Sequence, residues 1–469
     1  MAGSAAAVGR LTSGNRRLDA ILGGGFPAAG INLLVGPPGS GKTILAQQYI
    51  FHSATPQRPA VYLTTVSEPL EKVLRYGQSM AFFDARAVGR SVFYEDLGEV
   101  LGAQGLAGML ERVDALIKQH RPAIIAIDSF KALRFSAADE GQFRRFLHTL
   151  AGRLSAFPVT ALWVGEYDDA EMSSAPEFAV ADAIVSLSSD QVAQRELRVL
   201  RVLKLRGSSY LSGKHAYRLS DDGLDVFPRL ADPVDLAAAE MPEAPTSLGV
   251  PALDEMLGDG YWPGATTLVA GPSGSGKTVM GLHFVVSGAR RGEPGVVATF
   301  QENPTQLQRV AAGFGWSLAE DGIELLYRSP VDLYVDQWVH ELLATIERTG
   351  ARRVLIETLG DLAFAAGDET RHHEYLHSLV QRCSRQNVSL LMTLALPDLF
   401  QTGRLAKAGV THVSDNVVLL QYLRQGLRVR RALTVLKVRA SLREPRVREF
   451  TITPQGITLK RPMTGGAGG

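Results

Sequence analysis

Eight residues restrict what this chain can become more than any other stretch: Gly36-Pro37-Pro38-Gly39-Ser40-Gly41-Lys42-Thr43, repeated as Gly271-Pro272-Ser273-Gly274-Ser275-Gly276-Lys277-Thr278. Both fit the pattern G-x-x-x-x-G-K-[ST] of a phosphate-binding loop. Each follows a short apolar run, Ile31 to Val35 or Thr267 to Ala270, and precedes a helix-compatible segment. That is the strand, loop, helix setting the loop requires. Its glycines let the backbone curl so that N–H groups point at phosphate oxygens, and the helix N-terminus adds its positive end. Lys42 and Lys277 would reach the β- and γ-phosphates, and the hydroxyls of Thr43 and Thr278 would ligate magnesium. ATP and Mg2+ are therefore the expected cofactors.

The loop recurs because the whole unit recurs. Lys42 and Lys277 are 235 residues apart, and Leu18-Asp19 precedes the first loop at the same spacing as Leu253-Asp254 precedes the second. Ala123 to Asp128 matches Arg353 to Glu357, and Val202 to Gly207 matches Val435 to Ala440. Landmarks kept in order and nearly in spacing mark a duplicated domain. Within a copy, β-branched runs (Val61 to Thr65, Ala123 to Ile127, Val159 to Val164, Ala183 to Leu187) alternate with helix-periodic stretches such as Ala107 to Gln119 and Gln142 to Arg153. This predicts an α/β fold with a mostly parallel, doubly wound sheet in each copy. Alternation of apolar and charged residues in Leu197 to Arg206 and Leu427 to Arg439 predicts an antiparallel extension. The expected division is a first domain at 1–231, a Pro- and acid-bearing linker at 232–247, a second domain at 248–462 and a Gly-rich, flexible tail at 463–469.

A length of 469 residues agrees with more than one core, and a net charge of +1 with 45% hydrophobic and 21% charged residues describes a globular chain rather than one dominated by charge. The single cysteine, Cys383, excludes an internal disulfide and reads as a packed thiol. No run approaches the ~18 apolar residues of a membrane span. The expected compartment is the cytoplasm, without membrane attachment.

Phosphoryl transfer needs charge neutralisation, a magnesium in register and a group to orient water. Asp128, at the end of Ala123 to Ile127, is the expected magnesium partner. Glu357 takes the matching place with one more methylene. The water-orienting group should stand at the end of the strand next to the P-loop strand, and Val296 to Phe300 is read as that strand, which points to Glu302 in Gln301-Glu302-Asn303-Pro304. In Val66-Ser67-Glu68-Pro69 the candidate is Glu68, one place further on, where an acid before a proline equally suits a helix start. Lys204 with Arg206, and Lys437 with Arg439, share a K-x-R spacing that sets both cations on one strand face. They suit a phosphate, including one bound by a neighbouring subunit. A solvated face would also explain them, but their recurrence favours function.

Two further patterns carry less. His373-Glu374-Tyr375-Leu376-His377 matches the zinc-protease spacing, yet the first copy has Arg144, Arg145 and His148 at the same offset and no third ligand is identifiable. Arg424 to Arg461 holds eleven Lys/Arg against Glu444 and Glu449, a basic excess that could meet nucleic acid. It interleaves with strand residues and has Phe450 as its sole aromatic besides none at the base-stacking spacing, so nucleic acid is the weaker partner expectation.

With these residues in place, the chain resembles the KaiC family, double-domain RecA-like P-loop ATPases typified by the cyanobacterial circadian clock protein. Beyond the loops the likeness rests on Leu18-Asp19 with Gly23-Gly24-Gly25, Lys204-Leu205-Arg206-Gly207, Phe178 to Asp182, and Val413 to Gln421. The resemblance implies tandem RecA-like domains, a homohexamer with ATP at subunit boundaries, K-x-R pairs reaching the neighbour's nucleotide, and protein partners that the sequence does not identify. It also exposes departures. The family's paired glutamates after the second strand are Val66-Ser67 here in the first copy and Gln301-Glu302 in the second, which implies weak hydrolysis in the first unless Glu68 substitutes. The clock members' phosphorylated Ser-Thr pair is Thr411-His412, leaving Thr411 as a single autokinase candidate. The expectation is a signalling or regulatory ATPase. The alternatives are a RecA-like DNA-binding ATPase and a nucleotide-stabilised scaffold.

Overall fold

The computed structural model describes residues 9–65, 69–192, 195–230, 244–367, 369–397, 410–425, 427–439 and 446–460. The chain divides into two compact units, Met1–Arg229 and Leu230–Gly469.

In the first unit a nine-stranded sheet runs in the order Gly223–Phe227, His215–Ser220, Arg195–Leu205, Ala183–Val192, Ile31–Val35, Thr160–Gly165, Ile124–Asp128, Ala60–Thr64, Val92–Asp96. Ala183–Val192 through Val92–Asp96 are parallel, and the three strands beyond Ala183–Val192 are antiparallel. The second unit has a sheet of the same order: Gly456–Leu459, Val447–Thr453, Arg428–Val438, Asn416–Gln425, Thr266–Gly271, Ser389–Ala395, Arg353–Glu357, Gly295–Thr299, Ile323–Tyr327. The expected α/β architecture with an antiparallel extension is what the chain adopts in each unit.

Burial explains the apolar runs. Every residue of Ile31–Val35 and of Thr266–Gly271 is buried, because helices cover both faces of the central strands. Side chains alternate between the two layers: Leu33 and Val35 join a core with Phe130, Phe143 and Trp163, whereas Leu34 joins Leu45, Tyr49 and Ile50 of the P-loop helix, Lys42–Ser53. The Leu-Asp landmark has a local cause as well. Leu18 and Leu253 are fully buried, while Asp19 accepts from the Ser13 N–H at 2.7 Å and Asp254 from the Leu248 N–H at 2.8 Å.

In both units the antiparallel extension carries a bulge at one place. The register slips between Ile184 and Val185, which face Lys204 and Val202, and between Val417 and Val418, which face Lys437 and Val435. Leu203 and Leu436 are the extra residues, so each K-x-R pair begins immediately after a bend.

The terminal hairpin of each unit is tied to its P-loop helix. Gln48 Oε1 accepts from the Leu224 N–H at 2.9 Å, and His283 Nε2, one repeat later, accepts from the Ile457 N–H at 2.8 Å. Burial holds the His283 imidazole down at about 4, well below its usual 6.5. Between those values the unfolded chain binds a proton that the folded chain does not, so stability is full above about pH 6.5 and falls as the pH drops through the window. His283→Gln copies the first unit, keeps an acceptor and removes the titration. It should abolish a loss of about 2 kcal/mol between pH 7 and pH 5. Urea denaturation followed by the emission of Trp316, whose ring lies 4.7 Å from the imidazole, measures this; an equal acid-side loss in the variant would refute it.

Candidate functional site

The P-loop of the first unit is shaped by what presses on it. A Cβ on Gly36, at φ +151°, would sit 1.9 Å from the Leu187 carbonyl oxygen of the neighbouring strand. Gly41 caps the P-loop helix at φ +90°, with a Leu219 methyl of the terminal hairpin 2.8 Å from where its Cβ would be. The hairpin thus backs the loop, and Tyr217 donates to the Ser40 carbonyl at 2.7 Å. In the second unit Ile452 replaces Leu219 against Gly276, and Phe450 stands where Tyr217 does, without its hydroxyl.

Inside the loops both lysines turn back onto the chain. Lys42 Nζ donates to the Pro37 carbonyl at 2.8 Å, with Ser40 Oγ at 3.4 Å and Glu166 Oε1 at 3.9 Å; Lys277 Nζ donates to the Pro272 carbonyl at 2.9 Å. Burial lowers the pKa of both amines, opposed at Lys42 by Glu166 and then Asp128, and at Lys277 by Glu357.

The expected magnesium groups meet in both units. Thr43 Oγ1 donates to Asp128 Oδ2 at 2.7 Å, and Tyr62 donates to the same oxygen at 2.6 Å. Thr278 Oγ1 donates to Glu357 Oε1. Register places Val297 where the first unit has Tyr62, because Thr64 and Thr299 lie opposite Asp128 and Glu357. The smaller residue goes with the longer acid. A cis peptide bond follows each acid, Asp128–Ser129 and Glu357–Thr358.

The strand before Glu302, Gly295–Thr299, does not adjoin the P-loop strand as expected but pairs with Arg353–Glu357, because Ser389–Ala395 and Asn416–Gln425 flank Thr266–Gly271; this brings the Glu302 charge to bear on Glu357. Burial first, and the Glu302 charge next, push Glu357 up to about 7, against the Thr278 hydrogen bond and the Lys277 charge. Burial also raises Glu302. Glu302 Oε2, Glu357 Oε2 and Ser275 Oγ are buried without a hydrogen-bond partner. Two crowded carboxylates with idle oxygens fit a divalent cation and a water. The described residues contain no cluster of three or more His, Cys, Asp or Glu able to hold a metal alone. A hydroxyl and one acid beside a phosphate cradle suit magnesium, which keeps waters and takes phosphate oxygens. Counting on from the strand register, the sequence equivalent of Glu302 is Ser67; Glu68, the first-unit candidate, lies outside the described residues.

The K-x-R pairs lie elsewhere. Lys204 Nζ donates to the Phe178 and Ala179 carbonyls at 3.0 and 3.1 Å, and Arg206 to the Ala179 carbonyl at 3.2 Å and to Asp182 at 3.3 Å. Asp182 also accepts from the Ile31 N–H at 2.9 Å, at the start of the strand whose far end carries the loop. The second unit repeats this: Lys437 donates to the Thr411 and Ser414 carbonyls, Arg439 to Asp415, and Asp415 accepts from the Thr266 N–H. Through the register Lys204 lies level with Leu33 and Lys437 with Leu268, but both amines are turned onto the carbonyls just named, and Arg206 and Arg439 are held at the start of the P-loop strand by Asp182 and Asp415. Neither pair joins the loop of its own unit. Thr411 sits in the short turn Val410–His412 beside Lys437.

Two groups at the loops escaped the sequence reading. Arg198 donates to the Gly39 carbonyl at 2.9 Å and Arg431, 233 residues on, to the Gly274 carbonyl at 3.4 Å. Their shared repeat offset was the available signal. Glu166, at the end of the strand beside the P-loop strand, has Ala395 as its counterpart, and a strand-end acid was its only mark.

His373 and His377 lie on the helix Glu369–Arg385, with His377 exposed. Cys383 is fully buried, and burial pushes its thiol up to about 12. Part of the basic stretch is neutralised internally, Arg430 and Lys460 on Glu449 and Arg448 on Glu255. No helix among the described residues is long and apolar enough to cross a membrane.

The model of the KaiC ATPase family matches residues 11–231 and again 246–463. The chain is 25% identical over 460 residues to a circadian clock oscillator protein KaiC of a Picosynechococcus species, covering 94% of this chain and 88% of that protein. It is 26% identical over 476 residues to the circadian clock protein KaiC3 of a Synechocystis species, covering 97% and 92%.

The carbonyl of Leu187 allows no side chain at position 36. Gly36→Ala should weaken nucleotide binding at the first loop by more than about tenfold while the second loop is unaffected. Titration calorimetry with ADP, showing two sites reduced to one, checks it; two intact sites would contradict it.

Proposed function

Because this chain belongs to the KaiC family of ATPases, we propose that it is a magnesium-dependent regulatory ATPase whose first unit mainly binds ATP and whose second hydrolyses it. The observation that carries this division is the Glu302–Glu357 pair, each with one buried and idle oxygen, where the sequence of the first unit has Ser67 and Asp128.

Bound MgATP supplies a γ-phosphoryl group with a good leaving group. Lys277 leaves the Pro272 carbonyl to neutralise phosphate charge, while Thr278 and Glu357 hold the metal. Glu302 orients the attacking water and takes its proton at Oε2. In the first unit Lys42, Thr43 and Asp128 bind in the same way, but Ser67 offers no carboxylate.

The position of the K-x-R pairs supports assembly. Lys204, Arg206, Lys437 and Arg439 act on a nucleotide held by a neighbour, since within its own unit each pair is engaged by backbone carbonyls and by Asp182 or Asp415 rather than by the loop. We therefore read the protein as a nucleotide-dependent homo-oligomer, a hexamer by family likeness, whose assembly state protein partners read in the cytoplasm. Thr411, adjoining Lys437, is the one candidate for phosphorylation by a neighbour's ATP.

Lys277→Ala and Glu302→Gln should each lower phosphate release by at least about 100-fold, while Lys42→Ala retains most of it. The reverse pattern, or single-stranded DNA binding that stimulates turnover and fades with salt, would refute the reading. Incubation with ATP should also leave Thr411 phosphorylated; mass spectrometry finding the unmodified peptide alone would remove the autokinase.

A further inference from the structure

Thr160–Gly165 runs beside the P-loop strand and pairs Gly165 with Val35, so Glu166 stands opposite the first glycine of the loop. In the second unit Ala395 pairs with Gly271 and takes that place. Glu166 Oε1 is 3.9 Å from Lys42 Nζ, and its side chain is 55% exposed. With Gly36, Pro37 and Pro38 it lines a cleft of about 580 Å³. Of the charges that favour the Lys42 ammonium, Glu166 is the strongest.

A lysine at this position serves the β- and γ-phosphates. A carboxylate already on that lysine competes with them, and each further phosphate charge adds repulsion at short range. We propose that Glu166 is a resident counter-ion of the first P-loop lysine and a specificity residue that weakens triphosphate binding more than diphosphate binding at the first site. The second site, with Ala395, carries no such bias. The inference rests on the ATP-site reading above.

The test is titration calorimetry of the full chain carrying Lys277→Ala, so that the first site reports alone, with ADP and with the non-hydrolysable β,γ-imido analogue of ATP. Glu166→Gln should tighten the analogue by about fivefold, in keeping with a partly exposed ion pair, and leave ADP nearly unchanged. Ala395→Glu, at an exposed position, should weaken the analogue by a similar factor at the second site of a Lys42→Ala chain. An unmoved ratio of analogue to ADP affinity in both variants overturns the proposal. So does loss of first-site phosphate release in Glu166→Gln with that ratio unmoved, since Glu166 would then be a water-orienting group. If the Lys277→Ala chain binds neither nucleotide, the ATP-site reading fails and this inference with it.

Discussion

Each unit is arranged around one hydrogen bond, from a threonine hydroxyl at the start of the P-loop helix to a carboxylate at the end of a strand two places away in the sheet. Thr43 meets Asp128 at 2.7 Å, and Thr278 meets Glu357. The bond requires that the loop turn sharply enough to start a helix directly above its own strand, hence Gly36 against the Leu187 carbonyl and Gly41 at positive φ. It requires a parallel sheet in register, so that Thr64 and Thr299 fall opposite the acids. It also requires that the helix not drift, which Gln48 and His283 secure by holding the terminal hairpin. The hairpin in turn backs the loop through Leu219 and Tyr217, or Ile452.

On this common frame the two units distribute charge differently. The first keeps the short acid and adds the Tyr62 hydroxyl; the second takes the longer acid and shortens the facing residue to Val297. The longer acid is accompanied by a smaller residue at the Tyr62 position, and the polar contacts change. Besides Asp128 and Glu357, a carboxylate from a different strand end acts on the site in each unit. Glu166 stands on the lysine in the first, half in solvent, whereas Glu302 acts on Glu357 in the second, where burial raises both and the Glu302 charge raises Glu357 further. Exposure makes Glu166 a screened counter-ion, and enclosure makes the second pair ready to take up a positive charge.

What the chain determined by itself is what local periodicity and repetition can encode. Two phosphate loops, the buried strand runs, the antiparallel extension and the acids Asp128 and Glu357 were all legible, because each depends on residues within one strand, one turn or one repeat offset. Glu302 was legible from its strand end. Arg198 on Gly39, Tyr217 on Ser40 and Glu166 on Lys42 were not, since their partners lie more than a hundred residues away; a repeat offset marks Arg198 but does not say what it meets. The K-x-R pairs show the difference most plainly. Their spacing established that two cations share a strand face; only the folded sheet decided that this face is held by nearby carbonyls and by Asp182 or Asp415, at the start of the P-loop strand, rather than by the loop. Sequence carries chemistry and period along the chain, but which groups meet is set by strand order and register, and those exist only once the sheet has formed.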